Sequence, residues 1–247
     1  MRTDPIVPAR TTLTVDAVRS ELKRLEDRDR AAFLERFFKT GPGEYGEGDT
    51  FLGIRVPQLR ALVRRCAGID LGRVETLLHS RAHEERLLAL LLMVRDYGRG
   101  DDGKRRRIYR LYLDNTRFIN SWDLVDSSAE HIVGTHLQGK NRAPLYRLAR
   151  SRSLWERRIA IMATYRYIKA GDFDETLRIA EMLLGDREDL IHKATGRMLR
   201  EVGKRGGIAE EKEFLRKNWP AMPRTMLRYA IERFPEAARR RYLDGTV

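Results

Sequence analysis

Helical segments recur along this chain at nearly constant spacing, and that recurrence limits the fold more than any other feature. Apolar residues on a 3.6-residue period mark helices starting near Glu84, Ser121, Trp155, Leu190 and Pro223, at intervals of 37, 34, 35 and 33 residues. Another helix candidate precedes each, over residues 72–79, 104–115, 143–150, 173–184 and 210–218. Gly and Pro fall largely between these segments, and the two-residue alternation of a strand is hard to find. A pair of such helices cannot close its own core and must bury its apolar faces against neighbouring pairs. The expected fold is all-α: a curved α-solenoid of antiparallel helix pairs whose second helices line a concave face.

Upstream of the repeats, residues 1–12 read as a flexible polar leader. Val15, Val18, Leu22 and Leu25, then Phe33, Leu34 and Phe37, predict two short helices. Residues 40–48 hold four glycines and a proline and must form a loop. Pro57 suits a first helical turn, where its missing N–H costs nothing. Residues 13–247 are expected to form a single domain.

Charge supplies the first functional clue. Lys and Arg outnumber Asp and Glu by 49 to 36, and residues 140–247 hold 25 of the cations against 15 of the acids. A net +13 concentrated in this way points to a polyanion, nucleic acid or an anionic surface, although an arginine-rich composition alone also gives a basic chain. The longest apolar run, residues 87–94, is too short to span a membrane, and no signal peptide pattern opens the chain. A single cysteine, Cys66, excludes an internal disulfide and fits a reducing cytosol.

Aligned by repeat, Arg86, Arg158 and Lys193 occupy similar places in their helices. Arg224 falls beside them, and Arg197 and Arg228 follow Lys193 and Arg224 at i+4. Such a row suits a phosphate backbone, whereas any one of these cations alone suits a solvated helix face. Trp122 and Asp126, also at i,i+4, would share one helix face. Leu124, Val125, Ile132 and Val133 can supply the core stripe without Trp122. The residues alone leave two options open: a core Trp with an Asp paired to a neighbouring Arg, or an aromatic and a carboxylate exposed for chemistry on a cation. Phosphate loops of the GxxxxGK[ST] kind, GxGxxG, HExxH and GxSxG are absent. His79 and His83 have metal-ligand spacing, but Glu84 and Glu85 after them read better as a helix start.

Four segments together resemble the AlkD-type DNA alkylation repair glycosylases, which are built from HEAT-like repeats. They are Phe51-Leu52-Gly53-Ile54-Arg55-Val56-Pro57; Ser121-Trp122-Asp123-Leu124-Val125-Asp126; Trp155-Glu156-Arg157-Arg158-Ile159-Ala160; and Ile191-His192-Lys193-Ala194-Thr195-Gly196 with Leu199-Arg200-Glu201. The resemblance covers roughly residues 13–240. It implies excision of cationic N-alkylated purines, such as N7-methylguanine and N3-methyladenine, from duplex DNA, without metal or cofactor. Asp126 matches the catalytic carboxylate, Trp122 an aromatic of the lesion cleft, and Arg158 the arginine holding the backbone near the lesion. Arg86, Lys193, Arg224 and Arg228 are the expected DNA-backbone contacts. One departure stands out: Arg197 replaces a second cleft tryptophan, adding repulsion toward a cationic base and offering Asp126 an ion-pair partner. The expected protein is a monomer on DNA in a bacterial-type cytosol. Two other classes stay open, a non-catalytic DNA-binding repeat protein for damaged or branched DNA and a scaffold for an acidic protein.

Overall fold

The computed structural model describes residues 13–247; the leader expected over residues 1–12 lies outside the described residues. Contacts cluster into two compact units that divide within one helix, after Leu92. The first unit holds α1 (Val15–Arg24), α2 (Arg28–Phe37), α3 (Val56–Arg65), α4 (Leu71–Leu78) and the beginning of α5 (His83–Arg99). Thr14, Asp27 and Asp70 cap α1, α2 and α4 by accepting backbone N–H groups three residues on. The Phe51–Pro57 segment is organised by the buried carboxylate of Glu84. Its oxygens accept the N–H groups of Leu52, Gly53 and Ile54 at 2.9, 2.8 and 3.2 Å, giving an irregular buried stretch the partners it needs. Pro57 sits in the first turn of α3, as expected. His83 opens α5 and stacks on Phe51 at 4.5 Å, a core position.

The second unit continues with α6 (Asp102–Asp114), α7 (Trp122–Asp126), α8 (Thr135–Leu137), α9 (Ala143–Ala149), α10 (Leu154–Ala163), α11 (Tyr165–Ile168), α12 (Asp174–Met182), α13 (Asp189–Lys204), α14 (Ile208–Asn218), α15 (Arg224–Ala230) and α16 (Glu236–Asp244). Within it the expected pairing is present. α9 packs on α10, and α12 and α14 pack on α13, while α7, α10, α13 and α15 each touch the next in turn. Every expected second helix starts within one residue of its sequence-read position. The protein is all-α: among the described residues there is no strand, only an isolated bridge between Thr50 and Ala82. No helix among them is long and apolar enough to cross a membrane.

Two glycines set how closely successive second helices approach. A Cβ on Gly134 would lie 2.3 Å from the Ala163 carbonyl oxygen, and one on Gly196 would lie 2.3 Å from that of Met226. Neither distance can hold a methyl group, so any side chain would push α10 from the segment after α7, or α15 from α13. The helix read from Ser121 onward is broken instead of continuous. Ser128 Oγ donates to the Leu124 carbonyl at 2.6 Å, and Tyr112 hydroxyl meets Ser128 Oγ at 2.9 Å. A wide π-type turn over Glu130–Gly134 follows, the kind of irregularity that frequently marks functional sites. Leu124, Val125, Ile132 and Val133 are fully buried, forming the core stripe read from sequence.

Candidate carboxylate site and its row of cations

Counting from each helix start reveals the register of the site. Asp126, Arg158, Lys193 and Arg228 are each the fifth residue of α7, α10, α13 and α15. Equivalent positions on stacked helices face the same way, so a carboxylate heads a row of three cations. Arg86 does not belong to that row, which corrects the sequence alignment. It is the fourth residue of α5, equivalent to Arg157 on α10 and His192 on α13. All three reach back to the carbonyl six residues earlier: Arg86 to Ser80 at 2.9 Å, Arg157 to Ser151 at 3.0 Å, and His192 Nε2 to Asp186 at 2.6 Å. Arg86 also pairs with Asp49 at 2.5 Å and is buried, so it staples its own helix instead of facing outward as the sequence alignment expects. Arg224, the first residue of α15, donates to the Leu243 carbonyl at 2.5 Å near the end of α16, also outside the row.

Asp126 and Arg158 form a two-pronged pair. Arg158 Nε donates to Oδ1 and Nη2 to Oδ2, both at 2.9 Å, while Nη1 donates to the Leu190 carbonyl at 2.6 Å. The Arg158 side chain is 6% exposed and the Asp126 side chain 16%. A planar guanidinium bound at three nitrogens has no rotational freedom left, so it fixes the plane of the carboxylate. Arg197 Nη1 donates to Oδ2 at 3.2 Å from a side chain 43% exposed, which realises the ion pair anticipated from sequence. Oδ2 therefore carries two charge-assisted bonds, one buried and one at the rim. Beneath the site, Tyr112 holds Ser128; burial pushes the Tyr112 hydroxyl well above the ordinary phenol range, and the charge of Asp126 adds to that. Trp122 is partly buried one turn before Asp126.

Further along the row, a cavity of about 450 Å³ is lined by Lys193, Arg228 and Arg239 with Asp189 and Glu232. Lys193 bonds Asp189 at 2.7 Å, which raises the ammonium pKa and lowers that of the carboxyl. The Arg239 Nε is buried without a hydrogen-bond partner among the described residues. Sequence reading missed Arg239, which enters from α16 outside the repeat spacing, and also the Leu190 carbonyl, since a backbone acceptor leaves no trace in residue type.

Fold and site together define a helical-repeat protein that presents an arginine-clamped carboxylate at the head of a cation row. A model of the DNA alkylation repair enzyme family matches residues 18–234, and the chain belongs to that family. Among solved structures, it is similar to one titled a predicted DNA alkylation repair enzyme from Enterococcus faecalis. The TM-score is 0.66 at 16% identity, over 85% of this chain and 97% of that one, a likeness of fold. No curated protein matches.

Proposed function

We propose that this protein is a DNA glycosylase that excises cationic N-alkylated purines, N7-methylguanine and N3-methyladenine, from duplex DNA by hydrolysing the N-glycosidic bond. The observation that carries this reading is the Asp126 carboxylate, held in plane by Arg158 at the head of the Lys193–Arg228 row. A cationic purine is already a good leaving group, so hydrolysis calls for little general-acid help. What it needs is fixed negative charge beside the sugar as oxocarbenium character develops, and an acceptor to orient water. Asp126 supplies both. Trp122, one turn away, offers a π face to the cationic base. Lys193 and Arg228 hold phosphates of the flanking strand, where contacts position the duplex without reading sequence.

Arg197 is the unusual element of this reading. With Arg158 it places two positive charges on one carboxylate, a site that repels a cationic base. Its exposed side chain can exchange Asp126 for a DNA phosphate, which frees one lone pair of Oδ2 when duplex is bound. The same contact favours a second reading, a non-catalytic repeat protein that binds damaged or branched DNA with Asp126 neutralised by two arginines. Release of methylated base from alkylated duplex, compared between the native chain and Asp126→Asn, separates the two. Release that depends on Asp126 supports excision; release no faster than the variant's background leaves the binding protein.

A further inference from the structure

We propose that α6, α9 and the turn between α8 and α9 form a second DNA-binding face, which takes a duplex independently of the Asp126 site. Arg106, Arg107 and Arg110 on α6, Lys140 in the turn and Arg147 on α9 are all exposed. None has a carboxylate within ion-pairing distance among the described residues. Elsewhere in this unit, Lys104, Arg142, Arg157, Arg158, Lys169 and Arg200 are all paired with acids. The nearby acids of α6 make their bonds elsewhere: Asp101 accepts the Lys104 backbone N–H at 2.7 Å, and Asp102 lies 3.9 Å from Arg105, while the charges of Arg107 and Arg106 reach Asp101 without a bond. A cluster of exposed cations with no bonded carboxylate, in excess over the acids near it, is what a phosphate backbone neutralises.

Two rings tie the cluster together. Tyr109 and His136 stack at 3.9 Å with 10° between their planes, and Tyr97 hydroxyl meets His136 Nδ1 at 3.1 Å. Burial, then the charges of Lys140 and Arg106, hold the His136 imidazole below its ordinary pKa, and the charge of Arg147 reaches Tyr109. The charges of Arg106, Lys140 and Arg147 thus lie within electrostatic reach of one stacked aromatic pair that joins α6 to α8. Because the rings are stacked on each other and partly buried, the surface they carry is one of exposed cations, and regularly spaced phosphates are what such a surface neutralises, which is why duplex DNA is the partner inferred.

The face is separate from the Asp126 site. Residues on a helix advance by about 100° each, which sets Arg106, Arg107 and Arg110 opposite the buried Ile108 and Tyr112. Tyr112 is the α6 side chain that senses the charge of Asp126. One chain would thus hold two segments of one polyanion, raising the local concentration of each site for the other. The proposal shares the DNA partner of the glycosylase reading and needs no excision.

Two short undamaged duplexes, one carrying a donor dye and the other an acceptor, test it with the full chain. The native protein is expected to bring them together, with two duplexes bound per chain by titration. In Arg106→Ala/Arg110→Ala/Arg147→Ala, energy transfer and the second duplex disappear while the first remains. The summed log K against log salt slope drops by about 3. Lys193→Ala/Arg228→Ala weakens the first duplex and leaves the second, so failure of the cleft reading shows separately. All substituted residues except Lys193 are exposed, and unchanged melting confirms intact folding of each variant. Bridging retained by the triple variant overturns the proposal. So does one duplex per native chain, or displacement of the second duplex by polyglutamate at equal charge.

Discussion

In the first unit, Arg86 and Asp49 meet at 2.5 Å with side chains 3% and 8% exposed; in the second, Arg158 and Asp126 meet through two 2.9 Å bonds beside a second, half-exposed arginine, Arg197. The residue types are the same, and the uses differ. Arg86 Nη1 donates to the Ser80 and Arg81 carbonyls at 2.9 and 3.2 Å, sealing the start of its own helix. Arg157 repeats that lock with Asp186 and the Ser151 and Arg152 carbonyls. Arg158, one residue on, is turned by about 100° and reaches across to a neighbouring helix instead. A single step along the sequence therefore separates a staple from a site. Burial pushes the Asp49 carboxyl upward, and His83 and Arg86 more than offset it, leaving the group below its ordinary range with no role toward solvent.

The sharpest way to break this comparison is to remove one arginine from the lock. Arg86→Ala removes the guanidinium from the buried Asp49 carboxylate, and the expected loss is about 3–5 kcal/mol of folding stability. Denaturant melts read it directly; a loss below about 1 kcal/mol would mean that water replaces the guanidinium and that the two pairs are alike. Asp126→Asn is the counterpart. It should cut methylpurine release at least about 100-fold, the scale of removing one transition-state electrostatic partner, while shifting the melt less than Arg86→Ala does. Single-turnover excision with melting on the same preparations checks both halves. A variant that melts early and excises normally would invert the assignment.

Arg197→Trp sharpens the comparison from the other side, because it strips the rim cation that the Asp49 pair lacks. The substitution removes charge repulsion toward a cationic base and supplies an aromatic wall. Excision of N7-methylguanine is expected to rise about tenfold, equivalent to about 1.4 kcal/mol. Neutral-base controls should not change. An unchanged or slower rate would give Arg197 a positive role on the phosphate backbone.

Much of this is legible in the sequence. The repeat interval placed five second helices to within one residue, because apolar period and Gly/Pro punctuation act locally. The Asp126–Arg197 contact is one that the family resemblance raises, because it sets Arg197 in the same cleft as the carboxylate. Register was not readable to the residue. Arg86 and Arg158 align only if α5 and α10 are counted from different starts, and a one-residue error exchanges a buried lock for an outward cation. Nor did the sequence announce the break after Asp126, which depends on Ser128 and Tyr112 meeting from separate helices. Glu84 stands in the first turn of α5, as its sequence suggests, but residue type does not announce that its side chain accepts three backbone N–H groups of the preceding segment.

The buried carboxylate of Glu211 extends the comparison to a group with no cation bonded to it. Glu211 on α14 packs against Gly203 of α13, where a Cβ would lie 1.8 Å from its Oε2, and its Oε1 has no hydrogen-bond partner among the described residues. Arg200, whose charge reaches it, is bonded to Glu232 instead. Burial pushes the Glu211 carboxyl from 4.5 up to about 8, against the smaller opposing pull of Arg200 and Lys212. The sign of the consequence is opposite to that of Asp49. Between the two pKa values the folded chain keeps this proton and the unfolded chain has released it, so stability falls as pH rises through that window. The expected slope is roughly 1 kcal/mol per pH unit, and Glu211→Gln, neutral throughout, should remove it. Melts of both proteins from pH 5 to pH 8 therefore diverge, with the Gln variant gaining on the native chain as the pH increases. Parallel curves would show that Glu211 ionises in place, with Arg200 swinging from Glu232 to meet it.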